Sequence, residues 1–125
     1  MIAAYLYGNA ALYAVFAAWC TVARRSTSEN LGYERLSNSG HSEYLVVYGG
    51  LQLGLAAFFG YLASQSSLHR AGLIFALALY VPIVLYRVIT VFSFWPVRSM
   101  TLGVAGLEAA LLVTAIVLYA RTATS

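Results

Sequence analysis

The chain reads as an all-α integral membrane protein, a bundle of four spanning helices. Composition is the first reason. Of 125 residues, 62% are apolar and 9% are charged, and the mean hydropathy is +0.79. A soluble domain carries roughly 25% charged residues, so this chain has too little polar surface to stay dissolved. The second reason is that the apolar residues fall into four runs, each about 20 residues or longer, enough to cross roughly 30 Å of hydrocarbon as a helix. The third is that these runs do not alternate apolar with polar, as barrel strands do. Ala71–Val81, for instance, has no period of two.

The first predicted helix covers 2–23 and ends at Arg24-Arg25, with Trp19 at the interface. It is too long for a signal-peptide core and lacks a basic leader, so it is read as an uncleaved span. Residues 24–42 form the only long polar stretch, rich in Ser, Asn and Gly, and are predicted as a loop. Ser42 is the expected cap of the second helix, 43–63, with Glu43 in its first turn. The third helix, 68–94, contains Pro82, which a membrane helix tolerates when neighbours satisfy the freed carbonyl. Trp95-Pro96 stops it, and the fourth helix covers 99–120.

The same sequence excludes several functions. Arginine supplies all seven basic residues against four glutamates, for a net charge of +3. That density is too low to track a phosphate backbone, so nucleic acid is not an expected partner. Cys20 is alone and forms no internal disulfide. There is no Ser-His-Asp set, cysteine pair, HExxH or glycine-rich phosphate loop. His41 and His69 fall in connections expected on opposite sides of the bilayer, so no metal site is expected. The reading is a non-enzymatic chain without a cofactor. Arg24, Arg25, Arg35 and Arg98 in the first and third connections, against Arg70 and Arg121, favour both termini outside the cytoplasm.

Ionisable groups inside a span cost at least about 2.5–3.5 kcal/mol each and face the bundle. Here they are Arg87 in the third helix and Glu108 in the fourth, with Glu43 at the start of the second. Counting from the connections puts Arg87, Glu108 and Gln52 at about 13, 19 and 15 Å depth, one reachable layer. Glu43 and Gln52 are half a turn out of phase on a regular helix, so Arg87 has either Glu43 or Glu108 as its partner. Tyr48, Tyr80 and Tyr86 offer phenols to such a layer. Three roles fit it: a structural ion pair, a polar floor for a small ligand, or a proton relay. Gly50 and Gly54 form a GxxxG motif beside Gly49, and Gly106 begins a small-residue stripe on the fourth helix. These are expected to allow close helix packing, within the chain or in a homodimer.

The segment Glu43-Tyr44-Leu45-Val46-Val47-Tyr48-Gly49-Gly50-Leu51-Gln52-Leu53-Gly54 resembles the domain of unknown function 4345 family, small bacterial four-helix membrane proteins loosely similar to DoxX-like proteins. Arg87, Pro96 and Glu108 match further places of that pattern. Leu45 stands where the family pattern has Arg, and the acidic-Gly step before Pro96 is missing. The resemblance implies a bacterial inner-membrane location and the four-helix architecture. By analogy with DoxX-like proteins it also implies quinone-linked redox help. The functions that follow are an accessory subunit of a larger membrane complex or a small module binding a lipid-like ligand. The alternatives are the redox helper and a proton-coupled transporter.

Overall fold

A computed structural model describes residues 1–124. All regular structure in it is helical. Helix α1 is Ile2–Val22, α2 is Arg24–Asn30 and α3 is Asn38–Leu45. A π-helical segment, Val46–Leu51, joins α3 to α4, Gln52–Ser64. A short 3-10 turn, Ser66–Leu68, leads to α5, His69–Ser93, and α6 is Ser99–Thr124. Four of the resulting rods are long and apolar enough to cross a membrane: Ile2–Val22, Asn38–Ser64, Ser66–Ser93 and Ser99–Thr124. The protein is a four-helix membrane bundle.

Two of the expected boundaries are corrected. The stretch 24–42 is not all loop, because α2 occupies Arg24–Asn30 and α3 begins at Asn38. The cap of α3 is Ser37 rather than Ser42; its hydroxyl accepts from the Gly40 backbone N–H at 3.1 Å. Ser and Asn satisfy the free N–H groups of a helix start as readily as they populate loops, and composition alone does not separate the two. The helix α5 runs on through Pro82, and the turn to α6 holds a cis Trp95–Pro96 bond.

Packing divides the bundle along its length. At the end away from the 24–42 connection, Leu6, Phe59, Leu62, Ala63, Ala76, Tyr80 and Ala115 form the core. Close approach there depends on Gly72, where a Cβ would lie 2.7 Å from Leu6 Cδ1. Polar groups in this core are paired with one another. Tyr13 and Tyr80 hydroxyls are 2.9 Å apart, Tyr80 donates to Asn9 Oδ1, and Asn9 Nδ2 donates to the Tyr5 carbonyl at 2.9 Å. Unpaired, each of these groups would cost about 1–3 kcal/mol.

The other half of the bundle is different. There Ala17, Cys20, Thr27, Tyr44 and Gly49 pack α1, α2, α3 and the π segment together. No residue of α5 beyond Tyr80 is buried, and none of α6 before Ala115. The α5–α6 hairpin therefore joins the closed core at one end and leaves a cleft at the other.

Candidate functional site: a cleft around Arg87

The cleft is built by two local devices. The first is the end of α2. Tyr33 N–H donates to the Ser28 carbonyl at 2.9 Å and Gly32 N–H donates to the Glu29 carbonyl at 3.0 Å. This pair of bonds is a Schellman closure, which needs a left-handed residue between them. Gly32 takes that place with φ of +98°. The reversal carries Tyr33 back against α3 and the π segment. Its ring meets those of Tyr44 and Tyr48 edge-on, at 5.8 and 6.1 Å between centroids. Tyr44 and Tyr48 stack at 4.6 Å. The Tyr33 and Tyr48 hydroxyls are 3.0 Å apart, and Tyr44 donates to Thr27 Oγ1 at 2.8 Å.

The second device is the π segment. A turn closed by i→i+5 bonds takes in an extra residue and shifts the phase of everything after it. It contains the Gly49-Gly50 pair, and Gly49 is packed so tightly on α1 that a Cβ would lie 2.8 Å from Thr21 Oγ1. Tyr48, in the same segment, faces the cleft.

Arg87 of α5 and Glu108 of α6 close the opposite wall. The guanidinium binds the carboxylate through two parallel hydrogen bonds, Nε to Oε2 at 3.0 Å and Nη2 to Oε1 at 2.7 Å. This fork-to-fork geometry is the strong, orienting form of the pair. The side chains keep 32% and 14% of their surface exposed. Arg87 Nη1 makes no hydrogen bond among the described residues and stays available as a donor.

Arg87 borders two spaces. One is a cavity of about 220 Å³ between the hairpins, lined by Leu31, Gly32, Tyr33, Tyr48, Arg87, Thr101 and Val104. The other is an apolar groove of about 140 Å³ between α5 and α6. Val84, Val88 and Val91 form one side of that groove, and the small Ala105 and Ala109 form its opposite floor.

The residues singled out from sequence separate accordingly. Arg87 and Glu108 are paired, and Tyr48 shares their cavity. Glu43 is not the partner of Arg87. It lines a separate recess with Leu36, Gly40 and Val47 on the outer side of Tyr44 and Tyr48. Gln52 is not joined to the pair: it neither lines the Arg87 cavity nor makes a side-chain hydrogen bond among the described residues. The π segment Val46–Leu51 lies between Glu43 and Gln52 and turns the following side chains to a new phase. Tyr86 is 70% exposed on the outer face, whereas Tyr80 belongs to the closed core. Of the packing glycines, Gly49 packs on α1, but Gly50, Gly54 and Gly106 have nothing within 4 Å of where a Cβ would stand. They do not join helices within the chain. Gly72, Gly32, Tyr33 and Thr101 are not among the site residues expected from the sequence, which offers Tyr33 only as part of a short interfacial turn with Leu31 and Leu36. Of these only Gly32, one residue after a run ending in Asn30-Leu31, carried a readable signal, the C-terminal glycine stop.

The chemistry available in the cleft is hydrogen bonding. Donors come from Arg87 and from the Tyr33–Tyr48 and Thr101 hydroxyls, beside a charge already cancelled by Glu108. Comparison with known proteins adds no relative to this geometry: no family model, no curated protein and no solved structure matches the chain.

Proposed function

We propose that the protein is a non-enzymatic membrane module that binds an uncharged, lipid-like molecule carrying a carbonyl group. The observation that supports this most is the position of Arg87 at the junction of a polar cavity and an apolar groove. An amphipathic ligand needs both, a donor for its head and a slot for its chain. Charge decides the class. Arg87 and Glu108 already sum to zero, so an anionic head would leave a net negative charge within the membrane, which is costly. A neutral carbonyl accepts from Nη1 or a tyrosine hydroxyl without that cost. Quinones, esters and protonated acids share this chemistry, so the DoxX-like quinone reading is one case of it.

In this reading the protein belongs to the four-helix family it resembles and sits in a bacterial inner membrane. Both termini lie outside the cytoplasm, which places the cleft mouth on the arginine-rich cytoplasmic side. The test is to extract the protein in mild detergent and profile bound lipids by mass spectrometry. Wild type should retain, beyond any phospholipid, a neutral carbonyl lipid in stoichiometric amount, and the Arg87→Leu/Glu108→Leu variant should lose it. Equal lipid profiles from two folded proteins would overturn the proposal.

A separate observation favours an accessory-subunit role alongside binding. Gly50 and Gly54 stand open on the outside of the bundle. Small residues at that spacing let another membrane helix approach closely. In a native gel, Gly54→Leu should release whatever chain is packed there; an unchanged complex counts against this role.

A further inference from the structure

At the 24–42 connection lies a second polar recess, of about 450 Å³, lined among others by Arg25, Glu29, Glu34, Arg35 and His41. It shares no lining residue with the Arg87 cavity. Its depth in the bilayer follows from the length of α1. Twenty-one residues of helix span about 32 Å, close to the hydrocarbon thickness. The residues directly after α1 therefore lie at the level of the lipid headgroups.

The recess has an unusual balance of groups. It presents two guanidinium and two carboxylate side chains, and none of the four is ion-paired among the described residues, where Arg87–Glu108 is the one salt bridge. None of the four makes a side-chain hydrogen bond either. His41 Nδ1 is buried and is the one such side-chain atom among the described residues without a hydrogen-bond partner. The four charged side chains are exposed, and none of their bonding capacity is taken up within the chain.

We propose that this recess holds a zwitterionic headgroup bearing a phosphate and a primary amine, that of phosphatidylethanolamine. Arg25 and Arg35 supply the fork-shaped donors that suit phosphate oxygens. Glu29 and Glu34 accept from the ammonium, which has three N–H donors. A choline head carries the same charges but no N–H to donate. An anionic head such as phosphatidylglycerol leaves the two carboxylates unmatched. The net charge of the four side chains is zero, which favours a headgroup that is also neutral overall.

The test uses the full chain in nanodiscs of phosphatidylcholine doped with phosphatidylethanolamine or phosphatidylglycerol, with retained lipid read by native mass spectrometry. Wild type should retain the ethanolamine lipid about tenfold over either competitor, the worth of one charge-assisted hydrogen bond. All four side chains are surface groups, so their variants keep the fold. Glu29→Gln/Glu34→Gln should abolish the preference for ethanolamine over choline, and Arg25→Gln/Arg35→Gln should lower retention of both. The preference should persist in Arg87→Leu/Glu108→Leu, because the two sites are separate. Equal retention of the three lipids overturns the proposal, as does a preference that survives Glu29→Gln/Glu34→Gln. Saturable binding of free phosphoethanolamine without any lipid preference also overturns it, since the ligand would then be a soluble zwitterion.

Discussion

Replacing Arg87 by Leu leaves the Glu108 carboxylate without its two hydrogen bonds, at 3.0 and 2.7 Å, in a helix with no other cation paired to it. Stranding one member of a buried pair costs about 3–5 kcal/mol, and insertion scales give about 2.5–3.5 kcal/mol for a lone charge at mid-membrane. The pair is half-buried, so the lower end applies, about 3 kcal/mol, or roughly a hundredfold fall in the folding equilibrium constant. Glu108→Leu strands Arg87, but that side chain has the Tyr48 edge of the cavity beside it and a long stem that reaches toward the interface. Its cost is therefore smaller. The double change Arg87→Leu/Glu108→Leu removes both charges and restores stability close to wild type. Reversible unfolding by SDS titration in mixed micelles measures all four proteins. The coupling energy between the two sites should be at least about 2 kcal/mol, well above the 0.3–0.5 kcal/mol scatter of independent sites. Additive losses, or a double variant as unstable as Arg87→Leu, would refute the pairing as the feature that joins α5 to α6 in the open half.

Three further predictions concern the rest of the bundle. Gly32→Ala forces a side chain into φ of +98°, at a cost of about 1–2 kcal/mol. It should displace Tyr33 and weaken ligand retention more than Leu31→Ala does, by the same lipid profiling. Gly72→Ala should destabilise by about 1–3 kcal/mol through overpacking against Leu6. Gly54→Ala, on an open face, should gain up to about 1 kcal/mol of helix propensity, and SDS titration separates the two. Tyr80→Phe strands Asn9 Oδ1 and removes the partner of the Tyr13 hydroxyl, a loss of about 1–3 kcal/mol. Tyr86→Phe, on the exposed face, should leave the unfolding midpoint unchanged.

Much of the architecture is written in run lengths, because a helix that crosses hydrocarbon must be long, apolar and continuous. Hence the four long apolar helices lie close to the four apolar runs, and Arg87 and Glu108 stand out as charges inside spans, although the sequence leaves Glu43 open as the partner of Arg87. The details that shape the cleft are of another kind. The helix α2 is polar, and nothing in Arg24–Asn30 marks it as helix until Gly32 and Tyr33 close its end. Tyr33, Tyr44 and Tyr48 are scattered in sequence and meet only because that closure folds the chain back. A depth count puts Gln52 level with Arg87 but does not say which way its side chain faces, and the π segment before it changes that phase. The Gly50 and Gly54 motif permits close packing but does not say with which surface, and within this chain the close contacts fall to Gly49 and Gly72 instead.

The most direct test of the ligand-binding account is photolabelling in nanodiscs, using a neutral lipid analogue with a diazirine beside its carbonyl. Saturable labelling is expected, confined to Leu31–Tyr33, Tyr48 and Thr101–Val104, competed by unlabelled neutral carbonyl lipid and lost in Arg87→Leu/Glu108→Leu. Labelling spread evenly along the outer faces of α5 and α6, with no competition, would contradict it.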